Sequence, residues 1–188
     1  MRLPDSAHTS RPWRIHELAP DFRLEDVWAL PTPGGRDDFA RLVALVPSFH
    51  SSSQVVRALF AIRWTLGRLL RLDRPRKLTL SERVPPDLRD TAPRTDTGPF
   101  TPLYCTRDEW ALEIANQTVD GVLHLGWVPD GAGAYRGQLA VLVKPNGGFG
   151  AAYMAAIAPF RHRVVYPSMV RDIERAWGSV SRDRRSGS

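Results

Sequence analysis

Two places in this chain hold residues able to move protons. Glu113 and His124 fall on neighbouring strand-like segments, where a carboxylate and an imidazole can approach diagonally and share a proton as an acid–base couple. Arg161 and His162 lie in Ala158-Pro-Phe-Arg-His-Arg163, and Pro159 there leaves a helical carbonyl near Ala155 without its donor. Arg161 can supply that donor or hold a carboxylate, while His162 can relay a proton. Each cluster also has a plain reading, and the pattern favours it. Glu113 and His124 share the polar face of their sheet and would form a solvated pair, unless a one-residue bulge reverses the faces. Arg161 and His162 would cap and solvate a helix surface.

A second group could orient a ligand rather than react with it. Tyr104, Asn116, Tyr135 and Tyr153 are polar residues on elements that otherwise look inward. Asn116 is the sharpest, because an amide on a core face needs hydrogen-bond partners, and neighbouring backbone supplies them more readily than a ligand. A few such groups in an apolar cavity are how small-molecule pockets are built.

Other chemistries lack their residues. His8, His16, His50, His124 and His162 show no H-x-H or H-x-x-x-H spacing, so no metal site is expected. Cys105 is the single cysteine and has no activating neighbour in sequence; it reads as a spectator, and the cytoplasm is the expected compartment. Gly147-Gly148-Phe-Gly150 precedes a helix but lacks the Lys-Ser/Thr of a phosphate loop, and no G-x-S-x-G elbow occurs. No cofactor is expected.

The elements that must position these groups are legible from periodicity. Glu109–Thr118, Val122–Val128 and Tyr135–Lys144 alternate as a three-stranded antiparallel meander, with Asp120-Gly121 as a hairpin turn. Trp110, Leu112, Ile114 and Asn116 then share a face with Leu123, Leu125 and Trp127, continued by Leu139, Val141 and Val143. Glu113, Gln117, His124, Arg136, Gln138 and Lys144 share the other face, which is expected to meet water. Short strands are expected at Trp13–Leu18, Phe22–Leu30 and Lys77–Val84. Helices are expected from Asp37 to about Val46 and along the stripe Val55, Leu59, Ile62, Leu66 and Leu69. Pro85–Pro99 reads as a surface loop. The C-terminal stripe Tyr153, Ile157 and Phe160 passes to Tyr166, Val170, Ile173 and Trp177, with Pro159 and Pro167 kinking or interrupting the helix.

Composition limits the rest. A chain of 188 residues suits one domain, placed at 12–178, with flexible termini at 1–11 and 179–188. The 43% apolar and 24% charged residues are those of an ordinary globular protein. No run approaches the roughly 18 apolar residues of a membrane span, and the start of the chain is too polar for a signal peptide. Net charge is +6, but all 26 basic residues except Lys77 and Lys144 are arginine, spread along the chain as a GC-rich coding bias would spread them. No basic helix or aromatic platform accompanies the charge, so nucleic acid is not an expected partner.

Glu109-Trp-Ala-Leu-Glu-Ile-Ala-Asn-Gln-Thr-Val-Asp-Gly-Val-Leu-His-Leu-Gly-Trp-Val128, Tyr153-Met-Ala-Ala-Ile-Ala-Pro-Phe-Arg-His162 and Val165-Tyr-Pro167 resemble the bacterial domain-of-unknown-function family 2867. That family resembles, in element order, the helix-grip superfamily of START, polyketide-cyclase and pollen-allergen proteins. The resemblance implies an α+β fold in which a curved antiparallel sheet wraps a long, here kinked, C-terminal helix around a hydrophobic cavity. It implies no reaction. The reading that follows is binding of an apolar or aromatic small molecule between sheet and final helix, with Trp110, Leu112, Trp127, Tyr153 and Ile157 as lining and Asn116, Tyr104 and Arg161 as orienting groups. The alternatives are a cofactor-free cyclase, lyase or hydrolase using His162 or Glu113 with Arg161, and an interaction module docking through its outer sheet face. Homodimerisation is left open.

Overall fold

The structure is a computed structural model and describes residues 1–52, 80–115, 119–147, 158 and 161–186. The helical stripe from Val55 to Leu69 lies outside them. In chain order the elements are two short helices, α1 (Ser6–Thr9) and α2 (Arg14–Leu18), strand β1 (Arg23–Ala29), helix α3 (Phe39–Ser52) and a single helical turn, α4 (Pro86–Arg89). Strands β2 (Thr101–Cys105), β3 (Glu109–Ala115), β4 (Val119–Pro129) and β5 (Tyr135–Pro145) follow, then a π-helical turn (Arg161–Val165) and helix α5 (Tyr166–Ser186).

Strict alternation makes β3, β4 and β5 the expected meander. β1 adds to β5 and β2 to β3, giving an open, curled antiparallel sheet in the order β1-β5-β4-β3-β2. Asp120-Gly121 is not its turn. Asp120 pairs with Ala115 and Gly121 with Ile114, so both belong to the ladder of β4. The pairing differs from the expected one by an even number of residues, which preserves the faces. Trp110 opposes Leu125 and Leu112 opposes Leu123, while Leu125 and Leu123 oppose Leu139 and Val141.

This face packs against Phe39 and Leu42 of α3 and against Tyr166, Ile173 and Trp177 of α5. Gly137 lets α3 come close, since a Cβ there would stand 2.8 Å from the Leu42 side chain. Pro167 sits in the first turn of α5, where no backbone donor is required, and the helix enters through the π turn.

The opposite face is covered over its centre, while Lys144 near its end stays partly exposed. Glu113 and His124 are 0% exposed and Gln138 is 2% exposed. Between them stand Ala111, Val122, Ala140 and Leu142, an apolar set that is covered by Trp13, Ile15, Leu80 and Val84. The residues 13–18 that were expected as a strand form helix α2, with Trp13 extended at its N-cap and Ile15 buried. Alternation over six residues cannot separate the two forms. Residues 80–84 are a turn rather than the end of a strand. The N-terminal residues, expected to be loose, bond along β1 through Leu3 N to Val27 O (2.8 Å) and Ala29 N to Met1 O (2.8 Å).

Candidate functional site

The covered face holds a continuous polar chain. Glu109 opens β3 opposite Gly126, and His124 lies two residues along β4 on the same face. The diagonal contact expected between His124 and Glu113 is therefore made with Glu109, which flanks Ala111 on the other side; sheet twist makes the two diagonals unequal. His124 Nε2 is 2.8 Å from Glu109 Oε2. Tyr104 donates its hydroxyl to the same oxygen at 3.2 Å, and the Arg14 amide at the start of α2 donates to Oε1 at 2.9 Å. On the far side, His124 Nδ1 is 3.2 Å from His8 Nε2, and His8 Nδ1 is 3.1 Å from His16 Nε2. The Trp13 ring stands 5.1 Å from His124 and 6.1 Å from His8, centroid to centroid, and closes the chain against the sheet.

Proton counting orders this chain. A Glu109 carboxylate can only accept, so His124 donates from Nε2, and an Nε2–H ring accepts at Nδ1. His8 must then donate from Nε2 and accept at Nδ1, and His16 donates from Nε2. Burial, followed by the proximity of His124 and then His16, lowers His8 to about 3, and burial also lowers His16. Nε2 of each of the three rings thus faces along the chain towards one carboxylate. Burial, reinforced by Glu109, raises the Tyr104 hydroxyl far above its ordinary range, so it remains a donor.

Glu109 also lines a pocket of about 270 Å³ at the end of the sheet where β3 begins, β4 ends and β5 begins. Trp13, Trp127 and Tyr135 line it, together with Arg11, Arg36 and Arg107. Asp108 lines it as well, and Arg107 pairs with exposed Asp37 at 2.7 Å.

A second acid–base pair sits on the helix face. A bulge between Leu24 and Asp26 places Asp26 opposite Val141, fully buried. His162, on the π turn, is partly exposed and meets Asp26 Oδ1 through Nε2 at 2.6 Å, while the Arg2 guanidinium lies 3.5 Å from that oxygen. The His162 ring stacks on Tyr166 with centroids 6.2 Å apart.

The other expected site residues separate as follows. Glu113 accepts the Leu80 and Ser81 amides at 3.1 and 3.2 Å, anchoring the 80–84 turn. Trp110, Leu112 and Trp127 share the helix-face core, and Trp127 donates its indole N–H to Gly35 O at 3.0 Å. Tyr104 is on the opposite face, because a bulge between Pro102 and Tyr104 turns it to pair with Ala111. Asn116, Tyr153 and Ile157 lie outside the described residues, as does the side chain of Arg161. Asp26, Glu109, His8 and His16 were not singled out as partners. Their groups converge only through strand pairing and packing, and no local spacing signals it. Among the described residues no His, Cys, Asp and Glu cluster is arranged to hold a metal ion.

These features define an α+β protein whose antiparallel sheet is covered on both faces and carries buried acid–base groups on each. The chain belongs to the family described as protein of unknown function (DUF2867), whose model matches residues 18–168. No curated protein and no solved structure matches it. No helix among the described residues is long and apolar enough to cross a membrane.

Proposed function

We propose that this DUF2867 member is a bacterial, cytoplasmic helix-grip domain that binds an aromatic or apolar small molecule carrying an anionic group. The observation behind the reading is the pocket of about 270 Å³ lined by Trp13, Trp127, Tyr135, three arginines and Glu109. This is a different place from the space between sheet and final helix, where Trp110, Leu112, Trp127, Ile173 and Trp177 pack together. Stacking on Trp13, Trp127 or Tyr135 would take the apolar body of the ligand, and the guanidinium groups its anionic end.

Native mass spectrometry of protein purified from its own host tests this first, with a retained ligand as the expected result. Thermal melts with aromatic carboxylates and their neutral amides test it again. At roughly 100 Kd a ligand stabilises by about 2.7 kcal/mol, a rise of about 5–10 °C at this size. Arg36→Ala should weaken the carboxylates at least tenfold and leave the amides unchanged. Bare protein in the first experiment together with flat melts in the second would sink the proposal.

A second reading, a cofactor-free acid–base enzyme, draws on the Asp26–His162 pair. A buried carboxylate that orients a partly exposed imidazole leaves its other nitrogen available as a base. Docking through the outer sheet face has no such support, because that face is covered and Met1 alone is an exposed large hydrophobic residue among those described.

A further inference from the structure

We propose that His16, His8 and His124 form a proton-conducting chain linking the surface at His16 to the carboxylate of Glu109, a residue that lines the pocket. The three links measure 3.1, 3.2 and 2.8 Å, and both interior rings are bonded through both nitrogens. Among the described residues the further bonds to Glu109, from the Tyr104 hydroxyl and the Arg14 amide, are both donated to it. Glu113, another carboxylate on this sheet face, holds the Leu80 and Ser81 amides. At the surface end, Arg14 and Glu17 pair with each other at 3.1 Å.

The transfer balances. A proton from solvent adds to His16 Nδ1, and the His16 Nε2 proton passes to His8 Nδ1. The His8 Nε2 proton passes to His124 Nδ1, and the His124 Nε2 proton passes to Glu109 Oε2. Three neutral Nδ1–H rings and a protonated carboxyl result, one proton richer than before. Run backwards, the same path unloads Glu109. The chain would therefore charge Glu109 as an acid and discharge it through the surface at His16. The lowered His8 and His16 values support this, since those two rings, neutral at rest, do not trap the proton they carry.

The inference concerns the ligand-free protein and stands apart from what fills the pocket. Long-range proton–nitrogen NMR of the ¹⁵N-histidine protein at pH 7 should show His8, His16 and His124 all as Nε2–H tautomers. In Glu109→Gln, the Arg14 amide holds the side-chain oxygen in the Oε1 position, so the amide nitrogen faces His124 and donates to it. All three rings should then switch to Nδ1–H. His16→Phe, a change at the surface end, should slow solvent exchange of the His124 ring proton at least tenfold. An Nδ1–H or doubly protonated ring among the three in the unaltered protein overturns the proposal, as does unchanged His124 exchange in His16→Phe. The unaltered spectrum and His16→Phe decide the matter even where Glu109→Gln does not fold.

Discussion

A histidine in the unfolded chain takes up a proton near pH 6.5, whereas His8 in the folded protein does so only at about 3, because burial and then its neighbours His124 and His16 disfavour the charge. Between these values the unfolded state binds the proton and the folded state does not, so stability must fall as pH falls. From pH 7 to 5.5 the loss at this one residue is about 1 kcal/mol, a drop in Tm of roughly 2–4 °C. Melting curves across this range should show the decline, and His8→Gln should flatten it while lowering Tm at pH 7. A level profile in the unaltered protein would contradict a neutral, buried His8. Cys105 follows the same logic in the other direction. Burial, helped by Glu109, pushes its thiol up to about 11, which keeps it protonated and agrees with its reading as a spectator.

The elements hold these residues through close approaches that only glycine permits. At Gly126 of β4, a Cβ would stand 2.8 and 2.9 Å from the Trp13 ring, which is itself flanked by His8 and His124. Gly126→Ala should therefore displace Trp13 and cost about 1–3 kcal/mol, seen as a lower urea midpoint at unchanged slope. Gly178 in α5 makes the contrast, because an added Cβ there meets nothing within 4 Å. Gly178→Ala should stabilise by about 0.5–1 kcal/mol through helix propensity. Equal effects at the two sites would mean that Trp13 does not pack as described.

Across the whole molecule, the sheet is a middle layer with α3 and α5 on one face and the N-terminal segment on the other. Trp177 ties α5 to this body. Its ring packs 6.0 Å from Trp127, the Arg41 guanidinium lies 3.8 Å over it, and its indole N–H donates to Pro33 O at 3.1 Å. Trp177→Ala should cost about 3–5 kcal/mol and loosen α5, visible as faster amide exchange along the helix. Exchange unchanged in α5 would show that the helix is held elsewhere. The +6 charge has a local expression too, since Arg11, Arg36 and Arg107 meet at the pocket.

Much of this plan was legible in the chain. The alternation of Trp110, Leu112, Leu123, Leu125 and Leu139 determined which sheet face would be apolar, because side chains in a strand must alternate whatever the register. The stripe of Tyr166, Ile173 and Trp177 determined the buried side of the last helix for the same geometric reason. What alternation could not decide was whether the polar-looking face would stay bare. Ala111, Val122, Ala140 and Leu142 left enough apolar surface there for Trp13 and Ile15 to cover it, and covering it enclosed His124 and Glu109. The bulges at Asp26 and Tyr104 leave no mark in local spacing either, yet each decides which face a polar side chain enters. The acid–base groups of this protein are consequently products of tertiary structure, since the His8–His124 and Asp26–His162 contacts join segments more than a hundred residues apart.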